Sequence, residues 1–110
     1  MKNIKSQEIW LAQFPLEEDE SQIIKRPILV IDSKEKECLV VKITKHNPRQ
    51  NDKFDIEIEE WQEANLNFTS TARVSKLKVL LKEDLIHKIG KIQQKDWNKI
   101  TQKIEEFYGG

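Results

Sequence analysis

The sequence is poor in the residues that define disulfide-rich, collagen-like or membrane proteins. Of its 110 residues, one is cysteine, three are glycine and three are proline. The single cysteine, Cys38, cannot form an internal disulfide or supply a cysteine-cluster metal site, and within its apolar run we expect it to be a small buried residue. No apolar stretch approaches the length of a membrane span. The mixed charges of Lys2, Lys5 and Glu8 do not fit a signal peptide, so a cytoplasmic location without membrane attachment is predicted.

An excess of either charge is also missing. Lys+Arg and Asp+Glu each number 19, and the formal net charge is zero. A chain without net charge has no overall basic field, so any binding of RNA or DNA requires a local basic patch with the acidic residues placed elsewhere. The length and the 37% hydrophobic content predict one compact core, in a single domain over residues 1–110.

Short apolar runs rich in β-branched residues predict a mainly β protein. In residues 8–14, Ile9 and Leu11 fall on one face and Trp10, Ala12 and Phe14 on the other, so this strand is expected to be central. Residues 60–66 fit either one helical turn or a loop pinned to the core. Further strands are predicted over 27–31, 38–44, 53–59, 74–81 and 85–92. The strand over 53–59 has Asp55 on its polar face, and the strand over 85–92 is interrupted at Gly90.

The apolar period changes after residue 92. Apolar residues there recur at helical spacing, with Asp96 near the start and Gly109 at the end of the predicted helix. A small, mainly β barrel with a packed C-terminal helix is therefore the predicted architecture. The apolar stripe of the helix consists of Trp97, Ile100, Ile104, Phe107 and Tyr108.

The segment KRPILVI, residues 25–31, joins two cations and a proline to a buried strand. An arginine at the start of a strand is held rigidly by the strand. A rigid guanidinium that can donate two hydrogen bonds suits the recognition of phosphate or carboxylate. A structural ion pair to a nearby carboxylate is the alternative interpretation of Arg26.

Landmarks along the chain resemble the PemK/MazF family of bacterial toxins. In chain order they are EIWLAQF (8–14), KRPILVI (25–31), VKIT (41–44), Ser70, KIGKI (88–92) and Asp96. The resemblance covers nearly the whole chain and implies a small SH3-like barrel with a C-terminal helix, forming a homodimer. It also implies an endoribonuclease that cuts single-stranded mRNA at short sequences without a metal or other cofactor, and that a cognate antitoxin blocks.

The resemblance assigns the catalytic arginine to Arg26 and the catalytic threonine to Thr44. It departs at two positions, because Gln7 stands where the family has a strand-opening glycine and Ser21 stands where many members have a glutamate. A fixed guanidinium can stabilise charge on a phosphoryl group, but neither assigned residue is a base. The possible proton acceptors are Glu20, in an acidic loop, and His46, since histidine ordinarily titrates near pH 6.5.

The local basic patch is predicted from cations near these landmarks, with Ser70 in a structural or phosphate-binding role. The predicted RNA-binding residues are Lys25, Lys45, Arg49, Ser70 and Arg73. His87 is expected to be a solvated residue without a role, and the three tryptophans, Trp10, Trp61 and Trp97, are expected to anchor the core rather than stack on bases.

Two other functions stay open. Without the loop glutamate, the chain could be a non-catalytic module that binds RNA or a protein partner. Relatives with the same barrel poison DNA gyrase, which would make this a DNA-binding protein. That branch depends on a tryptophan near the C-terminus, whereas this chain ends in Phe107, Tyr108 and two glycines.

Overall fold

The computed structural model describes residues 2–15, 19 and 21–109. Within these residues the chain forms six β-strands, one α-helix and a short 3-10 turn over Lys82–Asp84. The strands are β1 (Glu8–Pro15), β2 (Ile23–Ser33), β3 (Glu37–Thr44), β4 (Asp55–Ile58), β5 (Ser70–Leu81) and β6 (Leu85–Lys91), and the helix is α1 (Gln94–Tyr108).

All six strands belong to one antiparallel sheet in the order β4-β5-β3-β2-β1-β6. The prediction that β1 is an interior strand is confirmed, since it pairs with both β2 and β6. The mainly β fold with a C-terminal helix is likewise confirmed. The sheet is not closed, so β4 and β6 are its two edges in the described part of the chain.

The strand β2 is longer than the predicted 27–31, because the four residues before Pro27 also pair with β1. Its pairing with β1 continues from Leu29 back to Ile23, whereas its pairing with β3 begins at Ile28. Arg26 therefore lies within a strand that is paired on the β1 side, rather than at the start of a strand.

The strand β5 also begins earlier than predicted. Its first residues, from Ser70 to Arg73, pair with the short edge strand β4. Strand β6 continues through Gly90, which pairs with Ile9 of β1, and the interruption predicted there is a shift of register, since the next pair joins Lys88 to Trp10.

Alternate residues of the central strands supply two apolar clusters, one on each face of the sheet. In β1, Ile9 enters one cluster, and Trp10, Ala12 and Phe14 enter the other, as the alternation predicted. Cys38 is fully buried in the second cluster, and burial raises the pKa of its thiol. The three tryptophans anchor the core as predicted: Trp10 is buried, and Trp61 and Trp97 pack against the first cluster.

The helix α1 covers the first cluster through its buried residue Ile100, with Trp97 and Ile104 packed beside it. Asp96 does not cap its own helix. Its buried carboxylate instead accepts the backbone N–H groups of Glu59 and Glu60 at 3.0 and 2.9 Å, which ties the chain after β4 to the start of α1. None of the described helices is long and apolar enough to cross a membrane.

The ambiguous segment 60–66 is a series of hydrogen-bonded turns pinned to the core. Ala64 and Leu66 are buried, and Asn65 adopts a left-handed conformation with φ 68°. The side-chain amide of Asn65 donates to the carbonyl of Ile89 at 2.6 Å. A Cβ at Gly90 would lie 2.2 Å from the carbonyl oxygen of Ala64, so only glycine leaves room for this segment against β6.

Candidate active site

An open cavity of about 690 Å³ lies where β2 starts and β3 ends. It is bordered by β1, β6 and the segment that leads into β5. No acidic side chain occurs among the described residues that line it. The predicted site residues that line it are Lys25, Arg26, Thr44, Lys45, His46 and Ser70.

Arg26 lies opposite Ala12 in the β1–β2 ladder. Since successive strand residues point to opposite faces, Arg26 shares a face with Phe14, whereas Lys25 and Pro27 lie on the other face. Lys25, Arg26 and Pro27 all line the cavity, which therefore takes in residues from both faces of β2. The guanidinium carbon of Arg26 is 5.8 Å from the centre of the Phe14 ring, which is itself 4% exposed. A cation against a buried aromatic ring is held by packing as well as by electrostatic attraction.

Thr44 ends β3 near Arg26. The β2–β3 ladder ends at the pair of Ile28 and Lys42, and Arg26 and Thr44 both line the cavity beyond it. The hydroxyl oxygen of Thr44 accepts the backbone N–H of His46 at 3.3 Å. A hydroxyl that accepts one hydrogen bond still has its own proton to donate, so Thr44 can donate to a phosphoryl oxygen.

The backbone of His46 is fixed on both sides. Besides the N–H donated to Thr44, its carbonyl accepts the hydroxyl of Thr71 at 2.7 Å. The His46 residue is exposed and lines the cavity. This arrangement presents an imidazole to the cavity from a fixed backbone, next to the predicted phosphate-binding residues.

Ser70 has a structural contact. It is 6% exposed, and its hydroxyl donates to the carbonyl of Phe68 at 2.7 Å. The hydroxyl proton of Ser70 is therefore used within the protein. This favours a structural role for Ser70 over the phosphate-binding role that the sequence also allowed. Beside it, the ammonium of Lys45 lies 5.5 Å from the centre of the Phe68 ring.

Strand β6 contributes residues that sequence reasoning missed. His87 lies opposite Leu11 of β1, is exposed and lines the same cavity as His46. Lys88 also lines it, and its ammonium pairs with the carboxylate of Glu8 at 3.1 Å. Only the pairing of β6 with β1, more than 70 residues apart in sequence, could have indicated this placement.

Glu8 is a buried acid held in its charged form. Burial opposes its ionisation, but hydrogen bonds from the backbone of Lys5, the indole of Trp10 and the ammonium of Lys88 outweigh that effect and lower its pKa. A lowered pKa keeps Glu8 ionised near neutral pH, so it holds Lys88 beside the cavity.

Arg49 and Arg73 do not line the cavity. Their guanidinium Nε atoms lie 3.2 and 3.3 Å from the carboxylate of Asp55, which is buried rather than on the polar face that alternation predicted. Arg49 also pairs with Asp52 at 2.9 Å, and this hydrogen bond is the main cause of the raised pKa of Arg49. Two arginines predicted for the RNA-binding patch thus hold the loop between β3 and β4 around Asp55.

Comparison with known proteins shows which family the sequence matches. Over residues 5–108 the sequence matches the family described as PemK-like, MazF-like toxin of type II toxin-antitoxin system. The chain belongs to this family of toxins. Among curated proteins, none is similar enough in sequence to count as a match.

Several solved structures share the fold of this MazF-like toxin. An endoribonuclease from Mycobacterial species has a TM-score of 0.76 at 14% identity, covering 99% of this chain and 94% of that one. An endoribonuclease in complex with its cognate antitoxin, also from Mycobacterial species, has a TM-score of 0.77 at 13% identity, covering 97% and 96%. Mycobacterium tuberculosis toxin MazF-mt6 has a TM-score of 0.71 at 16% identity, covering 93% and 96%.

This MazF-like toxin departs from the family pattern at two positions, Gln7 and Ser21, and the structure around them differs. Gln7, at the place of the strand-opening glycine, adopts φ 78°, a backbone conformation that favours glycine. Its side-chain amide donates to the carbonyl of Ile92 at 2.9 Å and thereby ties it in place. Ser21, at the place of the family glutamate, hydrogen-bonds with Asp19 and is exposed. The possible proton acceptor Glu20 lies outside the described residues.

Proposed function

We propose that this toxin is an endoribonuclease that cleaves single-stranded mRNA without a metal ion or other cofactor. The observation that carries the proposal is the cavity that gathers Arg26, Thr44 and His46 among cationic side chains, in a chain without net charge. Phosphodiester recognition needs such a concentration of positive charge. The names of the similar structures, endoribonucleases of the same fold, support the same reaction.

The reaction we propose is attack of a ribose 2′-oxygen on the adjacent phosphorus. A new bond forms between that oxygen and phosphorus, the bond from phosphorus to the 5′-oxygen breaks, and a cyclic phosphate and a 5′-hydroxyl result. Arg26 stabilises the negative charge that grows on the phosphoryl oxygens, and Thr44 donates a hydrogen bond to one of them.

Two proton transfers complete the reaction, and the cavity offers two imidazoles. We assign His46 as the base that takes the 2′-hydroxyl proton, since its backbone is fixed beside Thr44. His87, which lines the same cavity from β6, is assigned as the acid that protonates the leaving 5′-oxygen. This assignment fills the gap left by the missing loop glutamate at Ser21.

The decisive experiment incubates long single-stranded RNA with the purified toxin in the presence of a chelator. We expect cleavage by the wild type, and a loss on the order of 100- to 1,000-fold with Arg26→Ala. Lys34→Ala, at the opposite end of the β2–β3 hairpin, is the matched control and should cut normally. Intact RNA with the wild type, or cleavage that survives Arg26→Ala, would contradict the proposal. Binding without cleavage would favour a non-catalytic RNA-binding module.

We also propose that the toxin acts in the cytoplasm as a homodimer neutralised by a cognate antitoxin. One similar structure is a complex of this fold with its antitoxin, which supports a protein partner of that kind. The toxin also carries exposed apolar side chains, among them Ile23 at 61% and Val79 at 53%, that a protein partner could cover. Light scattering on the purified chain tests the homodimer, and a monomer at micromolar concentration would contradict it.

A further inference from the structure

An aromatic ring lies exposed among the cations of the cavity. Phe68 lines the cavity and is 60% exposed, more than any other aromatic residue among those described. Single exposed apolar residues are common on protein surfaces and carry no function by themselves. Phe68 differs from such residues in two ways: hydrogen bonds hold the backbone around it, and cationic residues lie beside its ring.

The backbone that carries Phe68 is fixed on both sides. After it, Ser70 donates its hydroxyl to the Phe68 carbonyl. Before it, Leu66 is buried, and Asn65 is tied by its amide to β6. A ring on a fixed backbone loses little conformational entropy when a ligand packs on it.

The surroundings of the ring match a nucleotide better than a peptide. Lys45 lies 5.5 Å from the ring centre, and Arg26 and Thr44 line the same cavity. A nucleotide presents a flat π face together with a phosphate, which is the combination that an aromatic ring beside cations can bind. An apolar peptide segment has the apolar surface for the ring but no phosphate to place beside Lys45.

We propose that Phe68 is a stacking platform for one nucleobase of the bound RNA, with Lys45 on a backbone phosphate of the same strand. This inference rests on the proposed function, and it adds a base-binding subsite on the segment before β5. Any base can stack on an aromatic ring, so this subsite adds affinity and fixes which nucleotide of the RNA lies at the cavity, without selecting a base.

The test uses a short single-stranded oligonucleotide with 2′-O-methyl sugars, which lacks the attacking hydroxyl and stays intact. One base at a time is replaced by 2-aminopurine, whose fluorescence falls when it stacks. We expect wild type and Phe68→Tyr to quench one position, and Phe68→Leu to lose that quenching. The affinity of Phe68→Leu should fall by between about fivefold and 150-fold. Phe107→Leu, the same change at an exposed aromatic residue of α1 outside the cavity lining, is the control and should bind normally.

Removal of the stacked base gives the second measurement. An abasic site at the quenched position should weaken binding by the wild type but have little further effect on Phe68→Leu. Equal affinity of Phe68→Leu and wild type, or weakening that is the same with and without the base, would overturn the stacking role while RNA cleavage stands. A wild type that neither binds nor cuts RNA would instead overturn the proposed function.

Discussion

Two histidines separated by 40 residues of sequence line one cavity, and this makes separate proton-transfer roles testable. His46 lies beside Thr44 on a backbone fixed by hydrogen bonds, and His87 stands on β6 opposite Leu11. Loss of a positioned acid or base costs roughly 100- to 10,000-fold in rate. We therefore expect His46→Gln and His87→Gln each to slow cleavage strongly without loss of RNA binding.

The two roles can be distinguished with a substrate whose leaving 5′-oxygen is replaced by sulfur. A thiolate leaves without protonation, so this substrate no longer needs the acid. Cleavage by His87→Gln should recover to near the wild-type rate, whereas cleavage by His46→Gln should stay slow. Recovery of both variants or of neither would contradict the assignment of His87 as the acid. Binding of the uncleavable 2′-O-methyl oligonucleotide serves as the control for folding.

The segment 60–68 depends on the absence of a side chain at Gly90. An added Cβ would lie 2.2 Å from the carbonyl oxygen of Ala64 and 2.9 Å from the Cβ of Asn65, and neither atom belongs to a flexible side-chain end. The backbone must therefore move. We expect Gly90→Ala to lower the free energy of unfolding by about 1–3 kcal/mol, as overpacking does.

The same substitution should also reduce RNA binding, because the segment carries Phe68 into the cavity. Denaturation in urea measures the stability, and the 2′-O-methyl oligonucleotide measures the binding. Lys91→Ala, the exposed neighbour on β6, is the matched control and should change stability by less than about 0.5 kcal/mol. If Gly90→Ala kept wild-type stability and binding, close packing of this segment on β6 would not be what positions it.

The strands and the helix were predictable because their apolar periods are local. Alternation in β1 and the helical spacing after Gln93 each lie within a few residues. Strand ends were less predictable, since they depend on the neighbour: β2 reaches back to Ile23 along β1, and the first residues of β5 pair with both β4 and β3. Local pattern carries no information on which strand lies next to which.

The same distinction applies to the site. Arg26, Thr44, Lys45 and His46 were reachable from sequence because they sit on or next to recognisable runs. His87 and Phe68 were not, since His87 reaches the cavity through the pairing of β6 with β1, and Phe68 lies on a segment that Asn65 ties to β6. The alternating pattern predicted Asp55 on a solvated face, whereas it is buried. Its ion pairs with Arg49 and Arg73 were therefore not predicted. A buried carboxylate needs charged partners, so the two arginines hold a loop rather than join the patch.

The charges of the whole molecule cancel in total, but they are unevenly distributed between the cavity and the rest of the chain. The chain has 19 positive and 19 negative side chains, yet the described lining of the cavity contains no acid. Its cations are Lys25, Arg26, Lys45 and Lys88, and the last is paired with Glu8. Contacts of these four cations with the phosphates of a single strand give an expected slope of roughly −3 in log affinity against log salt.

Two double variants with the same net charge test whether position or total charge matters. Lys25→Glu with Lys45→Glu reverses two cations in the cavity, whereas Lys34→Glu with Lys36→Glu reverses two exposed cations at the far turn of the β2–β3 hairpin. We expect the first pair to weaken binding of the 2′-O-methyl oligonucleotide by at least about tenfold at about 0.1 M salt and to flatten its salt dependence. The second pair should leave both close to wild type, because the Debye length at that salt is about 10 Å and charges at the far turn of the hairpin are largely screened from the cavity. Equal weakening by both pairs would mean that RNA responds to the total charge of the molecule, and that the cavity is not its binding site.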